Sequence, residues 1–352
     1  MRLCRLDDIE PDATLARAII TSDYQILLSE GTMLRPDYVE KLKDIGITEV
    51  YIEDKKIPDA EEVAILKKDI EDNVKTQIKT VLEKHTYNHN EELVALNHAA
   101  DDVIMNILEE KEVVEQVFDI KERSSDLYEH SLSLCSLAVL TAIKLGLSQE
   151  EVHDIGVGSL LHDIGLRYLT IKYADKDLEE MSDVERGEYK KHSVYGYTAL
   201  KQESWISERV KNIILYHHER MDGSGYPLRA TDIPSECRVI SVCDSFDEMI
   251  CGIGCKRVKV HEAVEYLKSN KDTKFDAKVV NAFLDFTAVY PAGSLVKISD
   301  GEVGIVLRQN KEFPDKPVIK IIRDQVGNQV IGDMVKDLKD LDGIYITDVL
   351  DK

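Results

Sequence analysis

Five of the ten histidines in this chain form one ordered set: His130, His162 followed directly by Asp163, His192, and the adjacent pair His217-His218, with Asp244 completing it. Imidazole and carboxylate suit divalent transition metals, and two or more such ions side by side can activate water for attack on a phosphoester. A lone buried histidine is ordinarily a hydrogen-bonded core residue. Ligand-type residues arriving in this order along one helical stretch point instead to a metal centre. The densest part of the pattern is the run His217-His218-Glu219-Arg220-Met221-Asp222-Gly223-Ser224-Gly225-Tyr226-Pro227.

Local spacing says how these side chains could converge. Asp126 and His130 are four apart and share a helix face, which suits one metal or two neighbouring ones. His162-Asp163 follows the apolar run Val157 to Leu161 and precedes Gly165, so the pair sits near a helix end where both side chains can reach inward. His192 opens a helix with Gly196 and Leu200 on one side. His217-His218 ends the helix Val210 to Tyr216, just before the glycine loop, and Asp244 and Asp247 lie three apart on the next helix face. His153-Asp154-Ile155-Gly156 repeats the pattern of His162-Asp163-Ile164-Gly165, but at about 100° per residue the two histidines fall on opposite faces. Leu160-Leu161 embeds the second copy, so His153 is assigned to the surface. His85, His89, His98 and His261 read as solvated.

The elements that must position these residues follow from periodicity. Residues 1–57 form a small mixed module with strand-like runs Ala18 to Ile20, Gln25 to Leu28 and Glu49 to Ile52, and a short helix Pro36 to Ile45. Pro58-Asp59 opens a linker helix within 58–90, on which Val63, Leu66, Ile70, Val74, Ile78 and Val81 recur at helical steps. That stripe packs on its own protein or, alternatively, makes a homodimer through 59–84. Residues 91–290 are helical almost throughout, with a break at Asp222 to Pro227. In 291–352, Leu295 to Ser299 and Glu302 to Leu307 flank Asp300-Gly301, a two-residue hairpin signal, and Val318 to Ile322 and Gly343 to Thr347 add strands.

With 352 residues and a net charge of -22, the chain is a soluble globular protein unsuited to binding nucleic-acid polymers or anionic membranes through a general basic surface. A small anionic ligand is compatible with that charge, because metal ions invert the local field. The scattered cysteines read as free thiols in a reducing cytosol. Cys251 and Cys255 share a helix face but lack a second Cys/His pair for a zinc site. Acidic residues interrupt the start of the chain before a signal-peptide core can form, and the most apolar helix, Leu132 to Leu147, is too short and too interrupted to insert in a membrane. A cytoplasmic location follows.

His162-Asp163-Ile164-Gly165, His192 with Gly196, and His217 through Pro227 resemble the HD-GYP domain, a branch of the HD metal-dependent phosphohydrolases, over about residues 100–290. The flanking segments resemble accessory modules found beside it, more weakly. The resemblance implies a mainly α protein: an all-helical HD-type catalytic domain between a small N-terminal α/β module and a small C-terminal β module. It implies two or three divalent metal ions, iron or manganese, and hydrolysis of a cyclic dinucleotide, above all cyclic di-GMP, to a linear dinucleotide or mononucleotides. Carried over position by position, the ligands are His130, His162, Asp163, His192, His217, His218 and Asp244, with Asp163 bridging. Asp126 stands where some members have a Glu that helps bind a third ion.

Two positions depart from the family pattern: Leu166 replaces a Lys, and Ile253 replaces an Arg that contacts substrate phosphate. Losing one preorganised stabiliser typically slows a reaction about 10²–10³-fold. Arg167, Lys172, Lys256 or Arg257 are the candidate substitutes, and Gly225 and Tyr226 are candidate substrate contacts, although a plain turn uses the same residues. Asp247 either orients a ligand histidine, handles a proton, or makes a structural ion pair. Glu219 and Arg220 read as supports behind the ligands. The enzyme reading is therefore weighed against a sensor that binds ligand and turns it over slowly, and against a phosphohydrolase of another nucleotide.

Overall fold

The computed structural model describes residues 2–9, 13–16, 19–20, 26–29, 31–44, 47, 49–53, 65–84, 91–109, 118, 120, 127–171, 173, 177–311, 313–330 and 332–350. They fall into two compact units, one within residues 1–61 and one from residue 62 onward. In the first, β1 (Arg2–Arg5) pairs antiparallel with β4 (Glu49–Ile52), and β2 (Ile19–Ile20) pairs with β3 (Ile26–Leu28). The helix α1 (Pro36–Asp44) contributes Leu42 to a core with Leu6, Leu15, Leu34, Val50 and Ile52.

The second unit is built from α2 (Lys68–Lys84), α3 (Glu91–Glu109), α4 (Leu127–Lys144), α5 (Gln149–Leu161), α6 (Asp183–Tyr189), α7 (His192–Leu200), α8 (Glu208–Tyr216), α9 (Ser235–Cys251), α10 (Val260–Ser269) and α11 (Ala277–Leu284). The helix α4 is apolar all round because it runs through the middle of the bundle, with almost every residue from His130 to Ala142 buried. Local chemistry sets the helix starts. Ser148 and Glu151 form a reciprocal capping box on α5, Ser182 and Glu185 do the same on α6, and Ser207 caps α8. Among the described residues no helix is long and apolar enough to cross a membrane.

Two expectations change here. Pro58 and Asp59 lie outside the described residues, Ile65 and Leu66 form a bend, and the helix begins only at Lys68. Its stripe is also not free to recruit a second copy: Val74, Ile78 and Val81 are 0–1% exposed, spent on the same core as α3 and α4. The helix is part of the bundle, and dimerisation through it loses its surface.

A five-stranded antiparallel sheet closes the chain, in the order β8 (Val335–Asp337), β7 (Val318–Arg323), β6 (Val303–Arg308), β5 (Leu295–Ile298), β9 (Ile346–Leu350). Val296, Ile298, Val306, Ile319, Ile321 and Leu338 fill its core. The β5–β6 connection takes four residues, 299–302, not two. The Ile298 N–H donates to the Glu302 carbonyl, and Gly301 takes φ 95°, a conformation that costs glycine little.

Candidate metal centre

Five helices deliver the site. His130 lies in the first turn of α4, His162 and Asp163 end α5, His192 is the first residue of α7, His217 and His218 end α8, and Asp244, Asp247 and Glu248 follow one face of α9. Helix ends meet here because glycines let backbones touch. A Cβ on Gly165 would lie 1.8 Å from the His192 carbonyl oxygen and 2.7 Å from the Gly196 nitrogen, so only hydrogen permits the turn after Asp163 to rest on α7. At Gly225 a Cβ would fall 2.5 Å from the Glu219 Cα, which is how the loop after His218 folds back on itself.

The ring nitrogens show what the cluster requires. Nδ1 of His162, His192 and His217 lies 2.7, 2.8 and 2.9 Å from the carbonyl oxygens of Ser159, Tyr189 and Ile214. A carbonyl can only accept, so each Nδ1 carries the proton and each Nε2 is left with its lone pair. Those lone pairs converge: His192 Nε2 is 3.0 Å from His217 Nε2, and His162 Nε2 is 3.2 Å from His130 Nε2. Asp163 Oδ1 and both carboxylate oxygens of Asp244 are buried without a hydrogen bond. Lone pairs facing unsatisfied carboxylate oxygens call for positive charge between them, and this set of nitrogen and oxygen donors fits divalent transition metals.

Asp163, His192, His217 and His218 offer one donor atom each within 4.8 Å of one another, and so do His130, His162 and Asp163. Asp163 belongs to both groups. Its Oδ1 faces His192 at 3.4 Å and His217 at 3.8 Å, while Oδ2 faces His162 at 3.3 Å, a placement suited to a carboxylate shared by two ions. Asp244 Oδ1 lies 3.3 Å from His130 Nε2 and 3.7 Å from His162 Nε2.

Without a cation, the electrostatics split the cluster. Burial, with His162 and His192 adding to it, depresses His217 to about 3, and burial also lowers His192 and His218. Burial opposes protonation of His130 too, but the Asp244 and Asp247 carboxylates override it and raise His130 well above 6.5. Burial disfavours the Asp163 anion, yet the surrounding histidines hold its carboxyl far below the usual range. Burial, reinforced by Asp244, pushes Glu248 well up.

The supports are equally specific. Asp247 accepts at Oδ2 from His130 Nδ1 at 2.8 Å and at Oδ1 from the Ser133 hydroxyl at 2.8 Å. It therefore holds the ring from the side opposite the converging Nε2 atoms, the contact expected of a residue that orients a ligand histidine. Glu219, fully buried, accepts from the Leu228 and Ala230 N–H groups and ties down the glycine loop. The Arg220 guanidinium donates to the His217 and Glu219 carbonyls and to the Ser245 hydroxyl. Tyr226 stacks on His218 with ring centroids 4.5 Å apart.

Other candidates go elsewhere. Asp126 and Lys172 lie outside the described residues, as do His85 and His89. The Arg167 guanidinium donates to the Val81 carbonyl at 2.9 Å, so it is engaged at the end of α2. Lys256 is exposed in the loop after α9, and Arg257 donates to the Cys251 carbonyl. Leu166 and Ile253 are buried apolar residues. His153 lies 3.5 Å from Asp101, His98 is exposed, and His261 stacks on Tyr290. Two residues were missed. Glu248 stands one turn past Asp244, a spacing visible in the sequence. Lys190 holds its ammonium 5.2 Å from the Tyr226 ring centroid, and no periodicity marks it.

Residues 112–279 match the family model of an HD domain, and residues 295–352 match that of a KOW domain associated with HD domains. A cyclic di-GMP phosphodiesterase of Pseudomonas aeruginosa is 29% identical over 242 residues, covering 68% of this chain and 58% of the relative. A cyclic di-GMP phosphodiesterase of Thermotoga maritima is 32% identical over 179 residues, covering 48% of each chain. This chain spans about half the length of the curated relatives it matches. Among solved structures, an HDG"Y"P protein from Bdellovibrio bacteriovorus shares the fold, with 20% identity, a TM-score of 0.55, and coverage of 81% of this chain and 98% of that one. Residues 112–279 thus match an HD domain and residues 295–352 the KOW domain associated with HD domains, on a fold shared with an HDG"Y"P protein.

Proposed function

We propose that this chain is a metal-dependent phosphodiesterase that hydrolyses a cyclic dinucleotide, with cyclic di-GMP the foremost candidate, to the linear dinucleotide or to GMP. The observation that carries the reading is the pair of buried His/Asp donor sets sharing Asp163. His130, His162, Asp163 and Asp244 would hold one divalent ion, and Asp163, His192, His217 and His218 a second, with iron or manganese suited to such mixed nitrogen and oxygen donors. When bound, such ions lower the pKa of coordinated water and offset phosphoryl charge.

The chain's own residues do the rest. The carbonyls of Ser159, Tyr189 and Ile214 keep the histidines in the tautomer a ligand needs. Asp247 and Ser133 lock His130, and Glu219 and Arg220 brace the loop that carries Tyr226 against His218. Lys190, whose ammonium lies beside the Tyr226 ring, would supply a cation for substrate phosphate where Leu166 and Ile253 offer none. The free thiols of all six cysteines fit the reducing cytoplasm.

Those two buried apolar positions also favour a second reading, a sensor that binds a cyclic dinucleotide and turns it over slowly. Anaerobic loading with Fe(II) or Mn(II), followed by chromatography of cyclic di-GMP, separates the two. Many turnovers, abolished in His162→Ala and Asp163→Ala, support the enzyme. Tight binding without product in fully metallated protein supports the sensor, and wild-type turnover in both variants overturns the site.

A further inference from the structure

The carbonyl of Tyr189 orients His192, but its phenol belongs to neither donor set. The side chain is 2% exposed, crosses the His192 ring at 64° with centroids 5.1 Å apart, and packs in an apolar cluster with Leu166 and Met181. Its hydroxyl reaches the loop after α9, where a Cβ on Gly254 would lie 3.4 Å from the oxygen. That loop is pinned in place: the Leu178 N–H donates to the Gly254 carbonyl at 3.0 Å, and the Lys256 N–H donates to Asp177 Oδ2 at 3.1 Å. Among the described residues the Tyr189 hydroxyl makes no hydrogen bond. A buried tyrosine ordinarily finds a partner for its O–H, because leaving a polar group unpaired is costly. Phenylalanine would fill the same space without that cost, so packing alone does not call for the oxygen.

The surroundings say what the hydroxyl lacks. Burial, reinforced by Asp163, Glu248 and Asp244, pushes the phenol well above 10, so it stays a proton donor beside the centre. Leu166 in its own cluster and Ile253 next to Gly254 are buried and apolar, so neither brings a cation to this side of the site. We propose that the Tyr189 hydroxyl is a substrate-binding donor that meets a phosphoryl oxygen of the nucleotide at the centre. The proposal rests on the phosphodiesterase reading and names a residue that recognises the phosphate there. A hydrogen bond to a charged oxygen is stronger than one to a neutral acceptor, and a donor already fixed in a dry site needs no rearrangement to make it. Tyr173, with its ring centroid 6.0 Å from that of Tyr189, backs the phenol from the segment leading to α6.

The test uses the full chain loaded anaerobically with Mn(II), with inorganic phosphate as the probe in isothermal titration calorimetry and cyclic di-GMP turnover followed by chromatography. Tyr189→Phe removes one oxygen and leaves the ring against His192. It should keep the wild-type manganese content and melt no lower than wild type, because the hydroxyl has no partner to lose. It should bind phosphate about 10–100-fold more weakly and lose kcat/KM for cyclic di-GMP by a similar factor. Tyr195→Phe is the control: its hydroxyl donates to Glu188 at 3.0 Å, and its loss should leave phosphate binding unchanged. A lower melting temperature in Tyr189→Phe would show that the hydroxyl serves the fold and would overturn the proposal. Wild-type phosphate affinity in that variant at full manganese content would overturn it as well, and both results leave the phosphodiesterase reading standing. Manganese-loaded wild type that neither binds phosphate nor hydrolyses cyclic di-GMP overturns both.

Discussion

Gly165→Ala is the sharpest probe of how the centre is held. The new Cβ would sit 1.8 Å from the His192 carbonyl oxygen, so reaching an ordinary 3.4 Å contact requires the two backbones to part by about 1.6 Å. No flexible side chain can yield, because the contact is backbone against backbone. Overpacking of this kind typically costs about 1–3 kcal/mol, occasionally more, and this case belongs at or above the upper figure. The separation also acts on the chemistry. Asp163 Oδ1 and His192 Nε2, now 3.4 Å apart, would move to about 5 Å. Two donors on one ion, each at about 2.0–2.2 Å, can be no more than about 4.4 Å apart. The variant should therefore lose stability in urea denaturation with chelator present, and should separately lose the ion shared by Asp163 and His192. Gly187→Ala is the control, because a Cβ there meets nothing within 4 Å and a helical Gly→Ala change is neutral or stabilising by about 0.5–1 kcal/mol. Wild-type stability and metal content in Gly165→Ala would refute the reasoning.

Three further predictions test other parts. Asp163→Asn replaces a shared carboxylate with an amide, so metal analysis should fall from at least two ions to at most one, and turnover should fall by at least about 10²–10³-fold. Asp247→Asn leaves the shape but removes the charge behind His130; metal affinity should weaken about 10–100-fold by competition with a chromogenic chelator, and chelated protein should melt lower, because the Asp247 carboxylate no longer stabilises protonated His130. Chelated protein should also lose stability as pH falls from 6.5 towards 3. His217, His192 and His218 are held neutral in the fold, so below 6.5 the unfolded chain binds protons that the native state refuses, at about 1.4 kcal/mol per pH unit for each such group until its folded pKa is reached. His130, raised in the fold, contributes in the opposite sense: its stabilisation is fully present below 6.5 and is lost as pH rises through its folded pKa, so it does not cancel the acid-side slope. A flat melting temperature between pH 7 and 5 would contradict this.

How much of this was legible in the sequence depended on whether the information was local. His162-Asp163 and His217-His218 are adjacent ligand pairs at helix ends, so their joint inward reach was readable before any packing was known. Opposite helix faces separated His153 from His162, and that distinction rests on rotation alone. What Asp247 does was not readable, because its two partners, His130 and Ser133, come from a helix more than a hundred residues away. The Arg167 contact was hidden for the same reason, since its acceptor at Val81 is 86 residues distant. The stripe on α2 was visible, but periodicity identifies a face without naming what covers it. β1 alternates Arg2, Leu3, Cys4, Arg5 with no apolar run, and β8 has three residues at a sheet edge, so each is specified mainly by its neighbour. Glu248 was the avoidable miss, because the four-residue step from Asp244 was in plain view.

Anomalous diffraction from crystals of the full chain, prepared under nitrogen and collected at the iron and manganese edges, tests the central claim most directly. Two peaks should flank Asp163, one among His130, His162 and Asp244 and one among His192, His217 and His218. Crystals of anaerobically reconstituted protein with no peak beside Asp163 would contradict the account, whatever activity the preparation showed.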